Sequence, residues 1–413
     1  MPQYIVAHDL GTTGNKATLY DDQGFLVAST FAAYNTAYPK VNWAEQNPWD
    51  WWEAVAQSTQ ELVAKSRVAK DQIKAVSFSG QMMGCVPLDN QGRPLRSAII
   101  WADLRSSAQA EAIDRQLGAE AVYHITGHRL SSSYSIEKIM WVKENQPEIY
   151  RETYKFVQAK DFIIQRLTGR FVTDYSDASG TNAFDLTTRE WSGDILAAAG
   201  VDRDKFPEVI SSFAVVGEMT QDAANAVGLN PGTPVVAGGG DGVCATVGAG
   251  VVRTGHAYGY VGSSSWIATL SDTPVFDPAQ RTSTWLFMDE SMYMPAGTMQ
   301  SAGGSYAWLQ DTLCRQEMVA AEGLGVSAYE LMNLQAQDSP AGAGGLLYLP
   351  YLMGERSPHW NENARGAFIG LSQTHGKKDM IRAVMEGVAF NLRIIMDCLT
   401  ESASIPELRI IGG

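Results

Sequence analysis

Apolar and polar positions alternate with a period of two near the start of the chain, interrupted at residues 11–15 and 21–24. This pattern predicts a hairpin meander over residues 4–29. The period then lengthens. Over residues 48–66, Trp49, Trp52, Val55, Ala56, Leu62 and Val63 share one face of a helix. A short strand at residues 75–79 enters a glycine-bounded loop, 80–84, of the kind that carries ligand contacts at strand ends. A second strand from Pro234 runs into Gly238, Gly239, Gly240, Asp241 and Gly242, and the chain beyond reads as helix. From His256 the opening pattern returns as YGYVGSSSWIATL, a strand, a turn of small residues and a strand. Laying Gly11, Thr12 and Thr13 on Gly262, Ser263 and Ser264 gives an internal repeat, and so predicts two related α/β domains that meet near residues 245–255. The C-terminal part adds a helix from Lys377 to about Ser402 and a strand at 408–411, and then stops at Gly412 and Gly413. Nothing follows to cover that strand, so a truncated domain is expected.

The length of 413 residues fits two or three domains, and 45% hydrophobic with 18% charged residues is the composition of an ordinary enzyme. A formal charge of −14 argues against a nucleic-acid or anionic-membrane surface, both of which need clustered Lys and Arg. An anionic ligand would have to be met by local backbone donors and a metal. The N-terminus leads straight into a strand without a leader pattern, and no uninterrupted apolar run reaches 18 residues, so a cytoplasmic location is expected. Cys85, Cys244, Cys314 and Cys398 are scattered and read as buried thiols. The six histidines form no HExxH, and no structural transition metal is expected.

Three segments carry chemistry. In DLGTTGNK (9–16) a Gly/Thr turn between two strands directs backbone N–H groups and hydroxyls at one point, as a phosphate requires; Asp9 can hold a hydrated Mg²⁺ and Lys16 adds a charge. An ordinary hairpin is the competing reading of that segment alone. GSSS (262–265) repeats the turn on the second hairpin. In AGGGDGVC (237–244) the glycines permit close approach, and Asp241 stands at the carboxyl end of a strand, where α/β sites form. Gly240, Gly242 and Ala245 also fit GxGxxA, but no acidic residue about twenty positions on could take a ribose; a P-loop motif is absent.

These residues resemble the FGGY carbohydrate kinase family over essentially the whole chain. One family signature is read at SYSIEKIMWVKEN (133–145), with Lys138 and Trp141 in step, and a second at 366–387, with Phe368, Gly370, Leu371, Asp379, Ala383, Glu386 and Gly387. Within the family the chain is most similar to xylulokinases, through WAEQNPWDWW (43–52), SGQMMG (79–84), WADLR (101–105) and YLMGERSPHW (351–360). The resemblance implies an α/β fold of two actin/hexokinase-like (ribonuclease H-like) domains with an interdomain active-site cleft. Residues 1–245 would form the sugar-binding domain and 246–413 the nucleotide-binding domain. It further implies Asp241 as catalytic base, Asp9 with Thr12, Thr13 and Lys16 at the metal and phosphates, and Gly262, Ser263 and Ser264 facing the transferred phosphoryl group. Gly303, Gly412 and Gly413 would lie near the nucleotide, and Gln81, Met82, Met83 and Trp101 would line the sugar pocket. The implied partners are ATP, Mg²⁺ and a small sugar, in a homodimer. Two departures bear on the sugar: Met83 stands where xylulokinases usually have His, and Gly242 where they usually have Asn. D-xylulose is therefore the leading substrate, with another ketose, a polyol or a sugar acid open. A catalytically silent sugar sensor on the same fold is the non-enzyme alternative. Such a protein would lose Asp241 or the turns, or gain a basic helix-turn-helix extension, and this chain does neither.

Overall fold

Strand β1 (Tyr4–Leu10) turns Val6, His8 and Leu10 inward, as the period of two requires. The structure, a computed structural model, describes residues 2–412. β1 pairs antiparallel with β2 (Gly14–Asp21), which pairs with β3 (Leu26–Ala33). The helix α1 (Pro48–Ser66) begins where Asn47 accepts the backbone N–H of Trp49 and Pro48 occupies the first turn; it ends at Arg67, whose φ of 57° is left-handed. Its deepest face carries Trp51, Ala54, Val55 and Leu62, while Trp49, Trp52, Ala56 and Val63 are only partly buried. The buried face is rotated toward Trp51, whose indole N–H donates to a buried acceptor, Gln46 Oε1, at 2.9 Å.

The central strand β4 (Ile73–Gly80) runs parallel to β1 on one edge, and on the other to β6 (Pro234–Val236) and β7 (Gly239–Gly240); β5 (Val215–Glu218) closes that side antiparallel to β6. The strand order is β5-β6-β4-β1-β2-β3. The same unit contains the helices α2 (Ser135–Asn145), α3 (Ala159–Thr168), α4 (Tyr175–Ser179) and α5 (Asp241–Gly248).

By its internal contacts the chain divides into two units. The first ends at Gly248 and also takes in Trp285–Tyr293; the second comprises Ala249–Thr284 and the chain from Met294 on. Trp285–Tyr293 packs within the first unit through Leu286 N–H to Ser179 Oγ (3.1 Å) and Tyr293 O–H to Leu186 O (3.2 Å). In the second unit β8 (His256–Val261) pairs antiparallel with β9 (Ser265–Thr269), in a sheet with β10 (Ser283–Leu286), β11 (Tyr293–Met299) and β12 (Glu407–Gly412) ordered β10-β11-β9-β8-β12. β12 runs parallel to β8 as β4 does to β1, so the repeat seen in the two hairpins extends to their parallel neighbours. Helix α6 (Gly303–Leu313) follows β11, and α7 (Lys377–Thr400) buries Ile381, Val384, Ile395 and Leu399.

His8 is fully enclosed in the first unit. Its Nδ1 accepts from Asn15 Nδ2 at 3.0 Å, and the ring lies nearly parallel to Phe78 with centroids 5.2 Å apart. Burial pulls its pKa from 6.5 down to about 4. The unfolded chain takes up this proton near pH 6.5 and the folded chain only near 4. His8 therefore contributes stability that is complete above pH 6.5 and is lost as pH falls toward 4, by about 3 kcal/mol. Urea unfolding of wild type and His8→Gln at pH 7.5, 5.5 and 4.5 checks this: the variant should lose less stability on acidification, and equal losses would refute it.

Candidate functional site

The sheet register of the first unit lines up one row of side chains across three strands. Asp9 lies opposite Lys16 of β2 and beside Ser79 of β4, and Ser79 lies beside Gly239 of β7. Asp9, Ser79 and Gly239 sit near the carboxyl ends of β1, β4 and β7, and Lys16 near the start of β2. Ser79 Oγ donates to Asp9 Oδ1 at 2.9 Å, and Asp9 and Lys16 are exposed. The chain after Gly240 starts α5 with Asp241. Gly240 leaves room for Met82: an added Cβ would stand 2.4 Å from Met82 Sδ, so a larger residue there would displace that side chain.

Asp241 is exposed at the surface, with protein packed around one side of its carboxyl group. The water excluded on that side, and then the negative charge of Asp9, push its pKa up to about 7, against the Gly242 N–H that Oδ1 accepts at 2.7 Å. A carboxyl poised near neutrality can take a proton and still be ionised at working pH.

The turn at 11–13 is braced from beneath. Gln46 Nε2 donates to Thr12 O at 2.7 Å and the Tyr34 hydroxyl to Gly11 O at 2.5 Å, while Trp101 Nε1 donates to Thr12 Oγ1 at 2.9 Å. Thr13 is exposed. Gln81, expected at the sugar, is only 3% exposed and spends its amide N–H groups on Gln46 Oε1 (2.8 Å) and Gly11 O (3.4 Å). Met82 is buried beside Gly240 and Gly180. Met83 has a left-handed φ of 63° and is half-buried, and Trp101 is 38% exposed. Lys138 of α2 is fully buried and donates to Met83 O at 2.7 Å and to Ser133 O. Burial lowers its pKa to about 7. The charged members of WAEQ and WADLR form a separate brace: Arg105 pairs with Asp103 (2.6 Å) and Glu45 (2.7 Å) and lies 3.6 Å from the Trp43 ring centre.

In the second unit the turn at 262–264 meets the start of α6. Gly303 N–H donates to Gly262 O (2.8 Å) and Gly304 N–H to Ser263 O (3.0 Å). These amides tie the turn to the helix. Gly412, at the end of β12, pairs with Val261, so Gly262, Ser263, Gly303 and Gly412 come together, with Ser264 in the same turn; Gly413 lies outside the described residues.

Comparison with known proteins decides the family. Residues 4–248 match the N-terminal domain of the FGGY family of carbohydrate kinases, and residues 257–413 match its C-terminal domain. The chain belongs to the FGGY family of carbohydrate kinases. It is 34% identical over 412 residues to "Xylulose kinase" of Bacillus subtilis (strain 168), covering 100% of this chain and 80% of that protein. It is 32% identical over 410 residues to "Gluconokinase" of Bacillus licheniformis, covering 99% of this chain and 79% of that protein. Among solved structures, a gluconate kinase from Lactobacillus acidophilus superposes with a TM-score of 0.92 at 30% identity, covering 100% of this chain and 82% of that one. A ligand-bound xylulose kinase from the same organism gives 0.91 at 30%, covering 100% and 81%. The protein is thus a sugar kinase, a phosphotransferase of the two-domain FGGY fold, and kinases of this family use ATP.

For an FGGY kinase, the donor set at Asp9 fits a magnesium ion shared with a substrate. One Asp9 oxygen accepts from Ser79, and the carboxylate is exposed, with its other oxygen open to a metal or water. Among the described residues no cluster of three or more His, Cys, Asp or Glu could hold an ion unaided, and Mg²⁺ characteristically takes one or two carboxylates with phosphate oxygens and water. The residues that reading by sequence missed are those behind the site: Gln46, Lys160, Asp174 and Ser176, whose polar types resemble loop or surface residues until the fold assembles them. Lys138 and Gln46 carried a signal, as parts of the family motifs at 133–145 and 43–52.

The mutual effect of the two carboxylates is measurable. Isotope-edited infrared titration of the ligand-free protein should show one carboxyl titrating near pH 7 that disappears in Asp241→Asn. In Asp9→Asn it should move to lower pH, because a neighbouring negative charge is removed. An unmoved midpoint in Asp9→Asn would refute the coupling.

Proposed function

We propose that this sugar kinase phosphorylates a ketose, D-xylulose to D-xylulose 5-phosphate, with Asp241 as general base. The observation that carries the base assignment is the position of Asp241 at the strand end beside Asp9, with a pKa near neutrality. Asp241 accepts the proton of the attacking hydroxyl as its oxygen bonds to the γ-phosphorus. The bond from phosphorus to the β,γ-bridging oxygen breaks, and its electron pair leaves on ADP. Asp9 suits the metal, with Lys16 opposite it in the sheet, and Mg²⁺ would supply neutralisation of phosphate charge there. Thr12 and Thr13 of the first unit, and Gly262, Ser263 and Ser264 of the second, serve the phosphates; Gly303 and Gly412 serve the nucleotide by letting backbones approach. Met82, Met83 and Trp101 shape the sugar side, and Gln81 supports it through Gln46.

Asp241→Asn should lower kcat by about 10² to 10⁴ with the KM for ATP little changed, the range expected of a lost general base. A folded variant retaining more than about a tenth of wild-type activity would place the base elsewhere.

A second reading, a sugar acid as substrate, is favoured by one observation: the likeness to gluconate kinases is nearly as strong as that to xylulose kinases. ADP release measured with D-xylulose, D-gluconate and a panel of other ketoses and polyols separates the two. The D-xylulose reading expects kcat/KM to be highest for that ketose; a higher value for gluconate overturns it.

A further inference from the structure

Behind β7 lies a fully buried ionic cluster that touches no surface. Lys160 Nζ of α3 pairs with Asp161 (2.7 Å), Asp174 (2.8 Å) and Asp177 (3.1 Å). Burial alone would depress the Lys160 pKa, but the three carboxylates hold it well above its usual value, and Lys160 in turn holds Asp174 low against its own burial. The aliphatic stem of Lys160 lies directly under Gly80, the last residue of β4. Asp174 is the N-cap of α4. Its Oδ2 accepts the Ser176 N–H (2.9 Å), the Ser176 hydroxyl (2.5 Å) and the Ser212 hydroxyl (2.8 Å).

The Ser176 hydroxyl is therefore oriented by a charged acceptor, its proton directed to Asp174. Its lone pairs face the other way and accept the backbone N–H of Gly240 at 2.9 Å. Gly240 is the residue before Asp241. Its N–H is thus anchored by a side chain, and that side chain is anchored by a fully buried ion pair.

We propose that Ser176 is a positioning residue of this kinase: oriented by the Lys160–Asp174 pair, it fixes Gly240 and through it the height and direction of the Asp241 carboxylate. This inference rests on the reading of Asp241 as general base. Ser212 supplies a matched control, because its hydroxyl reaches the same Asp174 oxygen and none of its side-chain hydrogen bonds involves Gly240.

The experiment compares Ser176→Ala, Ser212→Ala and Ser176→Cys, each in wild-type and Asp241→Asn backgrounds, with thermal melting and full kinetics in ATP and sugar. The two alanine variants should lose similar thermal stability. Ser176→Ala alone should lower kcat by about tenfold to a hundredfold, the scale of a misplaced catalytic group, with both KM values within about twofold. Ser176→Cys, with a weaker acceptor of similar size, should fall between and stands in if the alanine variant does not fold. In the Asp241→Asn background the loss should vanish, since the group being positioned is gone. A kcat for Ser176→Ala and Ser176→Cys equal to that of Ser212→Ala, or the same loss in both backgrounds, overturns the positioning role. Full activity of Asp241→Asn itself overturns the base reading instead, whatever the serine variants do.

Discussion

Strand β4 is hydrogen-bonded along both edges, to β1 on one side and to β6 and β7 on the other, and this double pairing sets the geometry of the first unit. A parallel ladder leaves little freedom along its length, so the height of Asp9 and the height of Gly240 are measured from one backbone. Between β6 and β7, which pair with the same edge of β4, the chain comes very close to the β4 backbone. It does so at Gly238, whose φ is 67° and where an added Cβ would stand 1.9 Å from Phe78 O. A side chain there would push β7 off β4 and carry Asp241 with it. The sheet thus fixes Asp9 and the start of α5 against one strand, and with them the Asp9 contribution that adds to desolvation in raising the Asp241 pKa.

Buried charge is used in this unit to hold loops. Removing an ion pair from water costs several kcal/mol per ion before any gain, so a buried Lys160 with three carboxylates is a weak argument for stability. Its value lies in direction: Asp174, fixed by Lys160, orients two serine hydroxyls and caps α4. Arg105 does the same for the segment around Trp101, and Lys138 for Met83, whose left-handed backbone is tied through its carbonyl. In each case a fully buried charged group stands one layer behind a residue at the candidate site.

The hairpins, their turns and the repeat between them were legible because strands alternate strictly and only small residues make those turns. The family motifs supplied the site residues by type but not by orientation. Gln81 is an example: an amide in a substrate-loop motif, whose actual donors go to Gln46 and Gly11. The rotation of α1 toward Trp51 goes with a buried hydrogen bond to Gln46 that no periodicity encodes. Asp174 and Ser176 read as loop polars because Gly240 lies 64 residues beyond Ser176. Likewise, no pattern within Trp285–Tyr293 tells that it packs with the first unit, since its own strands begin and end in the second.

On the proposed reading, Met83 and Gly242 lie on the sugar side and bear on how sharply a sugar can be selected. Met83 and Gly242 offer no strong side-chain donor or acceptor, so a hydroxyl placed there has to be met by backbone or by water. Apolar contacts discriminate between near-isosteric ligands by only about 10- to 200-fold, whereas a buried hydrogen-bonding side chain left unpaired by the wrong ligand reaches about 10⁴ to 10⁵. Discrimination at these two positions is therefore of the weaker kind. Among FGGY kinases of nearly equal similarity to this chain, some act by name on a ketose and others on a sugar acid. On the proposed reading, exclusion of the wrong sugar falls instead to shape, set by Met82, Met83 and Trp101, and to the reach of its hydroxyl toward Asp241. That makes the rigidity of the Gly240–Asp241 segment part of specificity as well as rate, because a mobile base would accept a proton from hydroxyls at several heights.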